Sequence, residues 1–229
     1  VCGKIAAYLK ELTTRIVSIC SQASCVKFRG KLSTAVFHAR LSYNRRFECD
    51  GSNDLKAVKM LFTLWRNPGV LPNGPVDADI PVLMIERSDE PDYDAFLSQA
   101  GVNRLVLFSV PIHPVVLGED SRVVSADYPG AAVRCIENTL GEGTKAMFLL
   151  GACGNINPYL ACQNHPKAVE IIGNAVGYGI CSALSNRTEV PFDGLKAASE
   201  KLYLKEGEGL SRVVVQVFRI GRSAIAAFS

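Results

Sequence analysis

No two cysteines in this sequence stand in a C-x-x-C spacing, which excludes a zinc ribbon and a thioredoxin-type motif. Histidine is scarce, with His38, His113 and His165 the whole supply. No two of them share a helix turn, so no local metal-binding helix motif exists. Charge of one sign is missing too. Twenty-five basic residues stand against 22 acidic ones, and the basic side chains are scattered along the chain. A surface that tracks phosphates needs a basic stripe, so no nucleic acid partner is expected. The longest stretch free of Lys, Arg, Asp and Glu, residues 146–166, holds Asn155, Asn157, Gln163 and Asn164. Those amides are costly in hydrocarbon, so no transmembrane segment is expected. The sequence begins at Val1 without an initiator Met and runs straight into helical sequence, so no signal peptide is visible in it and nothing follows about secretion. The expectation is a single unit over residues 1–229, truncated at both ends.

What the chain does have is enough apolar sequence, 48% hydrophobic against 21% charged, to bury a real core. The eight cysteines sit singly, several among apolar neighbours. They read as free thiols packed like small hydrophobes, Cys153 and Cys181 above all.

Hydrophobic spacing predicts an amphipathic helix over 4–20, with Ile5, Leu9, Leu12, Ile16 and Ile19 on one stripe. Short β-like runs follow at 26–29 and 33–40, then a polar stretch over 42–53 and a turn-rich loop over 66–75. Strands are predicted at 81–87 and 104–111. From there the pattern alternates as in an α/β protein, a mixed β-sheet flanked by helices. Tyr128-Pro129 opens a helix to Leu140, a strand covers 145–150, and a glycine-rich loop runs from Gly151 to Asn157. A long helix follows Asn164-His165-Pro166, and its Gly173, Gly177 and Gly179 predict close packing. Residues 202–204, 212–220 and 223–228 read as a strand meander.

Chemistry is expected where strands end, on loops held by a rigid scaffold. Two strand ends stand out. One carries His113 and then Asp127-Tyr128-Pro129-Gly130. The other carries Gly151-Ala152-Cys153-Gly154-Asn155-Ile156-Asn157-Pro158. His113 is either a metal ligand or general base, or a histidine capping a strand end. Cys153 has two readings as well: a nucleophile on a strand-to-loop elbow with His113 or His165 as base, or a small buried residue in a tight loop.

His113-Pro114-Val115-Val116-Leu117-Gly118, then Ser125-Ala126-Asp127-Tyr128-Pro129-Gly130, then Gly154-Asn155-Ile156-Asn157-Pro158 resemble the neutral/alkaline, non-lysosomal ceramidase family in order and spacing. Asn44-Arg45-Arg46-Phe47, Asn67-Pro68-Gly69 and Gly74-Pro75-Val76-Asp77 resemble further blocks of its bacterial branch. The resemblance implies that the chain is part of a larger catalytic domain, that of a zinc-dependent hydrolase of N-acyl amides acting on a lipid amide reached at a membrane surface. It places His113 on a zinc ligand, Arg45 on an arginine lining the active site, and Asn157 on a catalytic serine position. Gly154, Asn155 and Tyr128 are expected to border the substrate. Asp127 is expected either to orient His113 or to serve as charge at a helix start. Arg46 is expected to be solvated. The family's other metal ligands, a His-x-His block upstream and a Glu and a Tyr downstream, have no counterpart in this chain. Three readings follow: a ceramidase-like zinc amide hydrolase, a cysteine amidase built on Cys153, and a non-catalytic member of the family.

Overall fold

The computed structural model describes residues 2–25, 29–45, 74–88, 101–206 and 209–228. Most of the predicted strand at 26–29, Arg46, Phe47, Cys49, the 67–69 block and most of the 66–75 loop lie outside the described residues.

Five strands form the central sheet. They are β1 (Gly30–His38), β3 (Asp79–Arg87), β4 (Arg104–Val110), β5 (Thr144–Leu150) and β7 (Thr188–Glu189), in the order β5-β4-β3-β1-β7. The β4–β5 pair is parallel, and the pairs β3–β4, β1–β3 and β1–β7 are antiparallel. Parallel neighbours need a crossover, and helix α2 (Asp127–Leu140) supplies it. Helix α3 (Lys167–Leu184) packs against α2 and β1. The sheet is thus mixed and flanked by helices, the expected α/β class.

Alternation along the strands sorts the two faces. Ile80, Val82, Met84, Val106, Phe108 and Val110 point into a core shared with Ile136, Val169, Ile172, Val176 and Ile180 of the helices. Their neighbours Leu83, Leu107, Ser109 and Leu149 point the other way. They line an apolar cleft of about 900 Å³ whose opposite wall is β10 (Ser223–Phe228). That strand belongs to an antiparallel meander with β8 (Leu195–Glu206) and β9 (Gly209–Ile220).

The glycines of α3 are sites of contact. A Cβ on Gly173 would stand 2.3 Å from the Ala131 Cβ and 2.9 Å from the Ala132 amide nitrogen. One on Gly177 would stand 2.6 Å from the Cys135 Cβ, so α2 and α3 approach along a seam where the α3 side is glycine.

Helix α1 (Cys2–Cys25) forms where expected, slightly longer at both ends. Its stripe, Ile5, Leu9, Leu12, Ile16 and Ile19, stays exposed rather than packed. Strand β8 extends well beyond the predicted 202–204. Two three-residue strands, β2 (Ser42–Asn44) and β6 (Ile156–Pro158), form within the predicted polar stretch and the glycine-rich loop. Segments that short show no period to read.

Candidate active site

Because β4 and β5 are parallel, their C-terminal ends lie side by side, and the loops leaving them share one rim. Contact begins at once. The Gly151 amide donates to the Val110 carbonyl at 3.0 Å, and a Cβ on Gly151 would stand 2.9 Å from the Pro111 Cα. Only a residue without a side chain lets the two loops start this close.

The loop after β5 folds back on itself, with the Ile156 amide donating to the Cys153 carbonyl at 2.8 Å. Strand β6 then pairs with β2, placing Tyr43 opposite Asn157 and Asn44 opposite Ile156. The other loop joins here too: the His113 amide donates to the Ile156 carbonyl at 2.9 Å. Arg45 follows directly after β2. Its amide donates to the Asn155 carbonyl and its guanidinium to the Gly154 carbonyl, each at 2.8 Å. His113, Arg45 and Gly154–Asn157 therefore meet in one place, although they come from three distant stretches of sequence. The apolar cleft ends beside them at Gly151 and Ala152, but His113, Arg45 and Asn157 do not line it.

Asp127 lies behind this cluster. Its backbone is left-handed, at φ +51°, which an Asp tolerates better than most residues. The buried carboxylate accepts from the amides of Val116 at 3.2 Å, Leu117 at 3.0 Å and Tyr128 at 2.8 Å. It thereby clamps the chain just after His113, and its bonds among the described residues run to backbone. Tyr128 supports the same loop from below. Its hydroxyl donates to the Ile112 carbonyl at 2.7 Å, its ring is fully buried, and it meets Phe148 edge-on. Burial holds its phenol neutral well above the ordinary tyrosine range, and the nearby Cys153 and Asp127 push in the same direction. In this conformation Tyr128 is a wall of the core and has no open side.

Asn157 is 1% exposed, and its Oδ1 has no hydrogen-bond partner among the described residues. Buried amide oxygens in folded proteins are nearly always paired, so this atom needs a reason. Tyr43, which the sequence reading missed, faces it. Burial raises the Tyr43 phenol, and the Asn157 amide and the Arg45 charge draw it back down. Its position directly before Asn44-Arg45 was the one available signal.

The thiols and the remaining histidines take other places. Cys153 and Cys135 are buried, Cys181 is half-buried, and all three are free. Burial raises the Cys153 thiol, against smaller opposing effects from its backbone and Arg45, so it stays protonated and a poor nucleophile. His38 is an exposed partner of Asp79, with Nδ1 and Oδ1 2.7 Å apart. His165 Nδ1 accepts the Lys167 amide at 3.1 Å where α3 begins.

Zinc in a catalytic site needs about three protein donors. Among the described residues, no group of three or more His, Cys, Asp and Glu side chains is placed to hold a metal ion. The described residues do not complete a zinc site, and His113 is the one histidine in the cluster.

Two solved structures share this fold. The neutral ceramidase from Pseudomonas aeruginosa matches 92% of this chain with a TM-score of 0.59 at 15% identity. A ceramidase complexed with C2 matches 84% with a TM-score of 0.53 at 17% identity. The chain therefore has the fold of this part of the neutral ceramidases, spanning 42% of the first structure and 29% of the second. No family model and no curated protein sequence matches it.

Proposed function

We propose that this chain is part of the catalytic domain of a ceramidase-like hydrolase that cleaves the N-acyl amide bond of a lipid into a fatty acid and an amine. One observation carries the reading. On a fold shared with neutral ceramidases, three of the blocks that resemble that family meet on one rim, with Arg45 and His113 both tied to the Gly154–Asn157 loop.

The residues divide the work. His113 is the donor this segment contributes to a zinc site whose other ligands lie outside the described residues; bound there, zinc would polarise the amide carbonyl and activate water. Asp127 and Tyr128 fix the backbone that carries His113. Arg45 locks Gly154 and Asn155, which border the substrate. The lipid is met at a membrane surface in this reading, and no helix among the described residues is long and apolar enough to cross a membrane.

The test is release of a fluorescent amine from an N-acyl lipid analogue, by this chain and by a longer protein that carries it. The longer protein should hydrolyse the amide and lose activity to a chelator, while alkylating agents leave it active. Activity abolished by thiol alkylation and untouched by chelation would favour the cysteine amidase and end this proposal.

A further inference from the structure

We propose that the apolar cleft between the central sheet and β10 takes the acyl chain of the lipid, with the amide at its Gly151–Ala152 end. The proposal rests on the amide-hydrolase reading above and adds where one half of the substrate lies.

Strand register sets the floor of the cleft. Val36 of β1 stands opposite Pro81 of β3, Leu83 of β3 opposite Leu107 of β4, and Ser109 of β4 opposite Leu149 of β5. All six line the cleft. The floor therefore runs across the strands, from β1 to β5, rather than along one of them. Three gaps between neighbouring strands make about 14 Å, the reach of an extended chain of about twelve carbons. The opposite wall is kept low by sequence: Ser223, Ala224, Ala226 and Ala227 of β10 are all small. Among the described residues, no charged side chain lines this space. It can strip water from a hydrocarbon and offers a charged head group nothing.

Its position supplies the direction. Leu149 leads within two residues to Gly151, and Gly151 and Ala152 close the cleft at that end. Gly154, which the Arg45 guanidinium holds, comes two residues later. A chain lying on the floor with its head at Gly151 thus leaves that head beside the Gly154–Asn157 loop. Of the two halves of an N-acyl lipid, the acyl half is a hydrocarbon by definition, and the amine half carries nitrogen. The acyl half is the one this uncharged cleft fits.

The test follows chain length, in two arms. In the first, saturated acids from hexanoic to hexadecanoic displace a fluorescent polyene fatty acid from this chain and from the longer protein. Affinity should rise about three- to fourfold per added carbon and level off near dodecanoic acid, where the cleft is full. Ala226→Trp, on an exposed stretch of β10, should bring the levelling-off to shorter chains. Ser109→Asp, which puts a charge on the floor, should weaken every acid. Affinity that both variants leave unchanged, or that climbs evenly through hexadecanoic acid, overturns the cleft assignment. Binding seen with this chain and lost in the longer protein means that protein fills the cleft, which also overturns it.

In the second arm, the longer protein hydrolyses N-acyl-propylamines of increasing acyl length and N-hexanoyl-alkylamines of increasing amine length. kcat/KM should climb with the first series up to dodecanoyl and stay flat with the second. A climb with amine length alone overturns the acyl assignment and leaves the hydrolase reading standing. Graded fatty-acid binding without hydrolysis of either series overturns the hydrolase reading and leaves the cleft a fatty-acid site.

Discussion

The Arg45 guanidinium donates to the Gly154 carbonyl at 2.8 Å, joining positions 109 residues apart in sequence. It holds the loop that carries Asn155 and Asn157 from the outside, while the β2–β6 pair holds it from within. Arg45→Ala should free this loop without unfolding the protein. Hydrogen exchange should quicken at the Ile156 and His113 amides and stay unchanged at Val106 in the core of the sheet. Uniform acceleration would show that Arg45 supports the whole fold instead.

Asp127 predicts a larger effect on stability. Three backbone amides converge on its carboxylate. Asp127→Ala leaves them without that acceptor in a buried setting and should cost about 2–4 kcal/mol. Asp127→Asn keeps one acceptor oxygen and tolerates the positive φ, so it should cost about half as much. Urea midpoints rank the two.

Stability should fall as the solution turns alkaline. Burial raises the phenols of Tyr43 and Tyr128 above their ordinary 10.0 and the thiols of Cys135, Cys153 and Cys181 above their ordinary 9.0. In the folded state these groups keep protons that the unfolded chain releases. Their contribution is whole below about pH 9 and declines as pH rises beyond it, thiols first and phenols next. Tyr128→Phe removes one such group and should flatten the upper part of the decline. It should also lower stability by about 1–3 kcal/mol at neutral pH, because the Ile112 carbonyl loses its donor. Denaturation midpoints from pH 7 to 11 give both effects.

The α2–α3 seam predicts that a good helix former will destabilise a helix. Alanine should gain about 1 kcal/mol over glycine on propensity alone. At Gly173 its Cβ would run into Ala131 and the Ala132 backbone, and overpacking of this kind costs about 1–3 kcal/mol or more. Gly173→Ala should therefore melt lower than the parent, and a higher melting temperature would mean that the seam opens easily.

Sequence made the larger elements legible wherever a period had room to repeat. Strands β3, β4 and β5 and helices α2 and α3 lie close to their expected positions, and the glycines of α3 announced its tight packing. The candidate site was legible in its blocks, through resemblance, and not in its wiring. The pairing of Ser42–Asn44 with Ile156–Pro158 is a long-range match of three residues, which no local pattern encodes. Tyr43 was missed for that reason, since its significance comes from the residue it faces. Asp127 looked like charge at a helix start or a partner for His113. Its bonds to Val116 and Leu117 depend on a loop that turns back ten residues earlier. The apolar stripe of α1 shows the converse: the period was plain, but a period does not specify a partner.

The most direct measurement is metal content by mass spectrometry beside amide hydrolysis, on the longer protein and its His113→Ala variant. Stoichiometric zinc and hydrolysis of the N-acyl amide are expected in the parent, with both falling together in His113→Ala because one ligand is gone. Full zinc occupancy and undiminished hydrolysis in His113→Ala would contradict it.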